Sequence, residues 1–389
     1  MSTNLVRMRN AAIAVKTETI IGTDAIAGSP GATDWMAGDV EIQFAQNATP
    51  NPELTGSLDR APAIAGAVRP TMRIRTPLRG SGAPGTAPEW GRLMTACTMA
   101  ETVTAAAVGA PTAATAGTTT SVTLATPAGT TAQQYRGMPI VLSGNVTDTT
   151  GIVDYTAARV AALGSTLSTA AGATTNFQIP VNVRYSPTSD EAVFKTATVY
   201  FYADGLLWRF TGAMGSWSIE LTTGGLAFLV FELRAALVSA PTATALPGGA
   251  LGITRATPPR FVGGRMQLNR LAAQTRSLTV NAGVNIILPD DPEAAEGAGP
   301  AIPVERAVSG QMDPYMNTTL SPARFAVFQG GTNVPLMAII GSVAGNRFLL
   351  TLPAIRKTQM NPTARDGIGV DSIAFEADGA DADLFLTQF

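Results

Sequence analysis

The chain has 389 residues, with 26 basic against 28 acidic side chains, a formal net charge of −2, no histidine and one cysteine, Cys97. The lack of histidine excludes histidine-based catalytic triads, HExxH metalloprotease sites and ordinary zinc sites, and a single cysteine allows no intrachain disulfide. Charged residues are only 14% of the chain and form no basic cluster, which argues against a nucleic-acid-binding surface and for a subunit that covers much of its outside in an assembly.

The opening MSTNLVRMRN leads into short mixed segments and not into the apolar core of a secretion signal, so a product made in the cytoplasm is expected. The most apolar stretch, Leu226 to Val238, is broken by Glu232 and Arg234 and is too short to span a bilayer. An arm over 1–35 precedes a run, Met36 to Ala48, in which Val40, Ile42 and Phe44 alternate with Glu41, Gln43 and Ala45. Such alternation predicts a strand. A second follows at Pro70 to Leu78, where Met72, Ile74 and Thr76 alternate with Arg73 and Arg75. Thr86 to Met99 opens on Thr-Ala-Pro-Glu and spaces Trp90, Leu93, Met94 and Cys97 as on a helix packed against a sheet, with Trp90 in the core. The Ala/Thr/Gly-rich stretch Val103 to Ala132 reads as a linker. Beyond it, Tyr135–Leu142, Ile152–Tyr155 and Phe177–Ile179 suggest three to five short strands of a small barrel, so residues 108–184 are expected to be inserted into a larger unit.

That unit resumes with four strands, Thr196–Ala203, Leu207–Thr211, Ser216–Leu221 and Leu226–Arg234. Asp204-Gly205 is a strong hairpin signal, and Gly212–Gly215 and Thr223–Gly225 are read as two more turns. A Pro/Ala/Gly linker over 240–260 leads to a second unit over 261–389. Its strands are expected at Gln267–Leu271, Leu278–Ile287, Val304–Tyr315, Pro335–Gly341, Phe348–Thr358 and Ile368–Ala377, with a helix at Ser321–Gln329 carrying Ala323, Phe325, Ala326 and Phe328. The second unit repeats the order of the first (36–107 and 185–239). Pro70–Leu78 before a helix matches Ser309–Tyr315 before a helix, and Phe231-Glu232 matches Phe375-Glu376. The chain is therefore expected to be mainly β, with two tandem units that each hold one helix.

Several segments carry a family resemblance by their order along the chain: Gly22-Thr23-Asp24, GSGAPGTAPEWGRL from Gly80, VYFYADG from Val199, WRFTGAMG from Trp208, IGSVAGNR from Ile340 and DGIG from Asp366. Together they resemble the phage major tail-tube family, in its two-domain, trimer-forming type. The resemblance implies two tandem tail-tube β-sandwich or barrel domains, with 108–184 as a small outer β domain. It implies homotrimeric rings of pseudo-sixfold symmetry, stacked into a channel for DNA ejection, within a virion tail. Tail terminator, tape-measure and distal tail proteins would be partners. DNA would pass without specific binding, and neither enzymatic activity, cofactor nor membrane would be involved. Another phage structural protein, of capsid or decoration type, is the alternative. An adhesin would call for a secretion signal, and a glycosidase for two placed acids in a cleft.

A wall that lets a polyanion slide should be neutral to acidic and lack Lys/Arg stripes, because each phosphate contact adds affinity. Glu220, Glu232 and Glu376, on predicted strands, are candidates for the lumen; a solvated outer face accounts for each equally well. The loop Leu288–Pro303 carries Asp290, Asp291, Glu293 and Glu296, and by its position resembles the family's inter-ring loop, although a mobile acidic loop fits it too. Asn47–Arg69 would be its counterpart in the first unit. Gly80–Gly85 lacks the Lys-Ser/Thr ending of a phosphate loop.

Overall fold

The computed structural model describes residues 5–54, 56–248, 254–293 and 299–389. The first half holds β1 (Ala11–Thr17), β2 (Trp35–Met36), β3 (Asp39–Thr49), β4 (Ile64–Pro77), α1 (Gly91–Thr95) and β5 (Met99–Thr104). A separate group follows: β6 (Val108–Ala113), β7 (Ala116–Gly117), β8 (Ser121–Thr123), β9 (Pro139–Gly144), β10 (Asp148–Tyr155), β11 (Val160–Leu163) and β12 (Thr175–Ile179). Next come β13 (Asn182–Pro187), β14 (Ala197–Ala203), β15 (Leu206–Thr222), β16 (Phe228–Leu237) and β17 (Thr242–Ala243). The second half begins with β18 (Arg265–Leu268), β19 (Leu271–Ala272), β20 (Thr275–Asn281), β21 (Val284–Ile287), β22 (Ile302–Arg306) and β23 (Ser309–Pro314). It ends with α2 (Leu320–Gln329), β24 (Val334–Ile340), β25 (Phe348–Arg365), β26 (Ile368–Ala377) and β27 (Phe385–Gln388). The protein is mainly β.

Antiparallel pairing runs β3–β4–β16–β15 in the first half and β20–β23–β26–β25 in the second. The same order of elements thus makes the same order of pairs twice. β15 then pairs with β20, setting Ser218 opposite Asn281 and Glu220 opposite Thr279, and joins both halves into one eight-stranded sheet. Behind it lie β2–β1–β14 and β5–β13–β27 with β24–β18. The two longest strands belong to both layers. β15 pairs with β14 through its first half and with β20 through its second, while β25 passes from β24 and β27 to β26. Between the layers sits a continuous core that includes Trp90, Trp217, Phe231, Phe348 and Phe375. Each such side chain contributes about 1.5–3 kcal/mol on burial.

Several sequence expectations change. The helix expected over Thr86–Met99 is only Gly91–Thr95: the chain before it turns at Pro84-Gly85 and again at Pro88, whose carbonyl accepts from the Gly91 amide at 3.0 Å, and Thr98, at φ 59, stops it. Trp90 is nonetheless fully buried and donates from Nε1 to the Arg79 carbonyl at 2.8 Å. The supposed linker Val103–Ala132 carries β6, β7 and β8 and the end of β5. Its small Thr, Ala and Gly residues allow close strand packing, and Val122 and Leu124 are buried beneath them. Gly212–Gly215 is no turn, and the two strands expected there are the single strand β15 with a bulge. Leu278–Ile287 is two strands, broken where Gly283 takes φ 60, and Val304–Tyr315 is divided between β22 and β23. The arm is partly built into the sheet, since β1 pairs with β14 along its whole length.

The group β6–β12 forms its own seven-stranded sheet around its own core, with Tyr135, Ile140, Leu142, Tyr155 and Phe177 buried in it. This sheet ends at Ile179, and β13 is already paired with β5 and β27 in the main structure. The glycine-rich segments quoted above from opposite halves of the chain meet. Gly80 donates to Asn346 Oδ1 at 2.8 Å, Gly82 donates to the Gly345 carbonyl at 3.1 Å, and Gln388 Nε2 donates to that same carbonyl at 2.9 Å. A Cβ at Gly80 would stand 2.1 Å from the Gly345 oxygen, so only glycine fits.

Candidate functional site: the polar face of the eight-stranded sheet

Alternation along each strand gives the eight-stranded sheet one apolar face, turned to the core, and one polar face. On β16, Leu229, Phe231 and Leu233 are buried, whereas Glu232 and Arg234 are exposed. On β15, Trp217, Ile219 and Leu221 face inward and Ser216, Ser218 and Glu220 face out. One row of register partners crosses all eight strands: Arg356, Glu376, Ser309, Asn281, Ser218, Val230, Arg75 and Asp39.

Glu220, Glu232 and Glu376 all lie on this face, and each has an arginine partner. Arg75 Nη2 bonds to Glu220 Oε2 at 3.1 Å, and its guanidinium carbon stands 3.5 Å from the centre of the Phe228 ring. Arg73 lies 4.0 Å from Glu232, its register partner across β4 and β16. Arg356 lies 3.5 Å from Glu376, again a register partner. The polar face thus carries arginines: carboxylates on neighbouring strands pair with Arg73, Arg75 and Arg356, while Arg234 stands exposed on the same face. A fourth pair joins Asp313 to Arg365. Partial burial works against the Asp313 charge, yet bonds from Ser277 N, Thr275 Oγ1 and Arg365 outweigh it and hold the carboxyl below its usual range.

The acidic loop lies on the hairpin β21–β22. Asp290 and Glu293 are exposed, Asp291 is half-buried and accepts from the Glu293 amide at 2.9 Å, and Glu296 lies outside the described residues. At the β3–β4 hairpin, Leu54 and Leu58 are fully exposed. On the opposite, core side, α2 buries Arg324 and exposes Phe325. Arg324 pairs with the buried Asp371 at 3.0 Å, and Lys357 donates to the Arg324 carbonyl at 2.7 Å. Burial pushes Lys357 down to about 8. Nothing in the helical spacing of Ala323, Phe325, Ala326 and Phe328 signalled this ionic cluster.

Among the described residues, no three His, Cys, Asp or Glu side chains gather as a metal site, and no helix is long and apolar enough to cross a membrane. Cys97 is buried, which pushes its thiol pKa up and leaves it unreactive. The arrangement is a broad, exposed surface that carries paired charges. Compared with known proteins, residues 147–377 match the model of a family described as phage tail tube protein. No curated protein matches.

Proposed function

Because this chain belongs to the phage tail tube protein family and is a structural tail protein, we propose that three copies form a ring and that stacked rings enclose a channel for DNA. The observation that carries this reading is the joined eight-stranded sheet, in which one chain supplies two equivalent sets of four strands. Three copies then give pseudo-sixfold symmetry, and closing the sheet on itself removes its exposed edges. In this reading the polar face lines the channel and the back layers and the seven-stranded sheet lie outside.

The lumen would work by offering little for phosphate to bind. Glu220, Glu232 and Glu376 act there as partners for Arg75, Arg73 and Arg356, so a passing duplex meets these three guanidinium groups as neutral pairs, with Arg234 the exposed cation beside them. The β21–β22 hairpin, with Asp290, Asp291 and Glu293, and the β3–β4 hairpin would reach the adjoining ring. Terminator, tape-measure and distal tail proteins are the further partners of such a tube.

Electron microscopy of the purified protein tests the reading. Tubes whose averaged rings hold three copies are expected, together with no retention of duplex DNA at about 0.15 M salt, where charges are screened beyond about 8 Å. Six copies per ring, shells, or monomers under all conditions would refute it.

A further inference from the structure

The eight-stranded sheet has two open edges. β3 pairs only with β4, and the second half of β25, from Arg356 to Arg365, pairs only with β26 among the described residues. The repeat inside the chain shows what such edges do. With Phe231-Glu232 matched to Phe375-Glu376, the strand pairings make β25 the counterpart of β15, and β20 the counterpart of β3. Within one chain, β15 pairs with β20. The corresponding outer edges, those of β25 beyond Arg356 and of β3, have no strand partner among the described residues.

We propose that β25 of one copy pairs antiparallel with β3 of the next, in the register that β15 and β20 already use. The correspondence is residue by residue. Ser218 is opposite Val230 on β16, as Gln359 is opposite Ala374 on β26, so Gln359 takes the place of Ser218. By the same step Asn361 takes the place of Glu220. On the other edge, Glu41 and Asp39 take the places of Asn281 and Thr279. Since Ser218 faces Asn281 and Glu220 faces Thr279, Gln359 should face Glu41 of the next copy and Asn361 should face its Asp39.

The side chains fit this register on both faces of the sheet. On the polar face, each pair sets an amide donor against a carboxylate acceptor, so no like charges meet. On the core face, the contact between Ile219 and Val280 becomes Met360 against Val40. Met360 is buried and Val40 is packed on the core, so both apolar side chains already point to the correct side. A slip of one residue would put Met360 on the polar side of the partner strand, which sets the register strongly.

This inference rests on the tube reading, and cysteine pairs test it separately. Two variants, Glu41→Cys with Gln359→Cys and Asp39→Cys with Asn361→Cys, are assembled and oxidised; the native Cys97 is buried and stays silent. Both should shift from the 40.0 kDa monomer to covalently joined species that end at three chains. The off-register variant Asp39→Cys with Gln359→Cys should stay monomeric in denaturing gels. Linkage only in the off-register variant would overturn the register. Normal wild-type tubes with no linkage in either in-register variant would overturn the edge pairing, with the tube reading intact. Failure of the wild type to form tubes would instead sink the tube reading. Should a cysteine variant fail to assemble, Glu41→Arg and its combination with Gln359→Glu decide the matter: the proposal requires loss of tubes in the first and their recovery in the second.

Discussion

Glu220 shows how a single residue's role depends on a partner distant in sequence. Its outward position follows from alternation along β15, but Arg75, which it meets at 3.1 Å, comes from β4. Both side chains are 38% exposed, so the pair adds only about 0.2–1 kcal/mol to stability. In the proposed channel its consequence would lie elsewhere, in keeping a guanidinium from phosphate. Glu220→Gln should therefore give tubes that retain short duplex DNA at low salt. Three freed arginines per ring give a log–log salt slope of about 2.7, so binding should fall roughly sixfold for each doubling of salt. Adding Arg75→Gln should abolish the retention, while adding Arg356→Gln should not. A pelleting assay with labelled DNA separates this from a simple effect of net charge, under which both second substitutions would act alike.

At the scale of elements, glycine is the ambiguous letter. Asp204-Gly205 is the hairpin turn that the sequence suggests, with φ of 42° and 99°. Gly212–Gly215 has similar chemistry but lies inside β15, where a Cβ on Gly215 would stand 1.9 Å from the Glu232 carbonyl oxygen of β16. That glycine allows two strands to approach, and backbone cannot move aside as a side chain would. Gly215→Ala should cost about 1–3 kcal/mol or more by overpacking. Gly212→Ala meets no atom nearer than 3.7 Å and should cost only the left-handed conformation at φ 63, about 1–2 kcal/mol. Denaturant midpoints should rank Gly215→Ala below Gly212→Ala, and the reverse order would show that the bulge, not the close approach, limits stability.

For the whole molecule, the seven-stranded sheet has its own core yet covers part of another. Gly151 donates to the Met337 sulfur at 3.0 Å, Leu349 lies against the same glycine, and both side chains are fully buried. Arg265 also reaches across to Asp148, and Arg270 Nε donates to the Leu163 carbonyl at 2.9 Å. We expect residues 108–179, bridged by Gly and Ser, to be dispensable for tubes. The cut must stop before β13, which pairs on both sides with β5 and β27. The bare deletion should aggregate through the uncovered Met337 and Leu349, and polar substitutions at these two positions should restore soluble protein and tubes visible by microscopy. A folded, soluble deletion that never forms tubes would make this sheet part of the wall.

Composition and local alternation alone determined that the protein is mainly β, that it lacks histidine chemistry, that the order of elements repeats, and that Glu220, Glu232 and Glu376 point away from the core. Those are properties of neighbouring residues on one strand. The tertiary structure decided which strands pair, and thus that Arg73, Arg75 and Arg356 hold those carboxylates, that the Ala/Thr-rich stretch is a set of strands, and that α2 buries Arg324 and not Phe325. Pairing is a competition among edges for burial and hydrogen bonds, and the competing residues lie up to hundreds of positions apart. Local pattern carries no record of that distance.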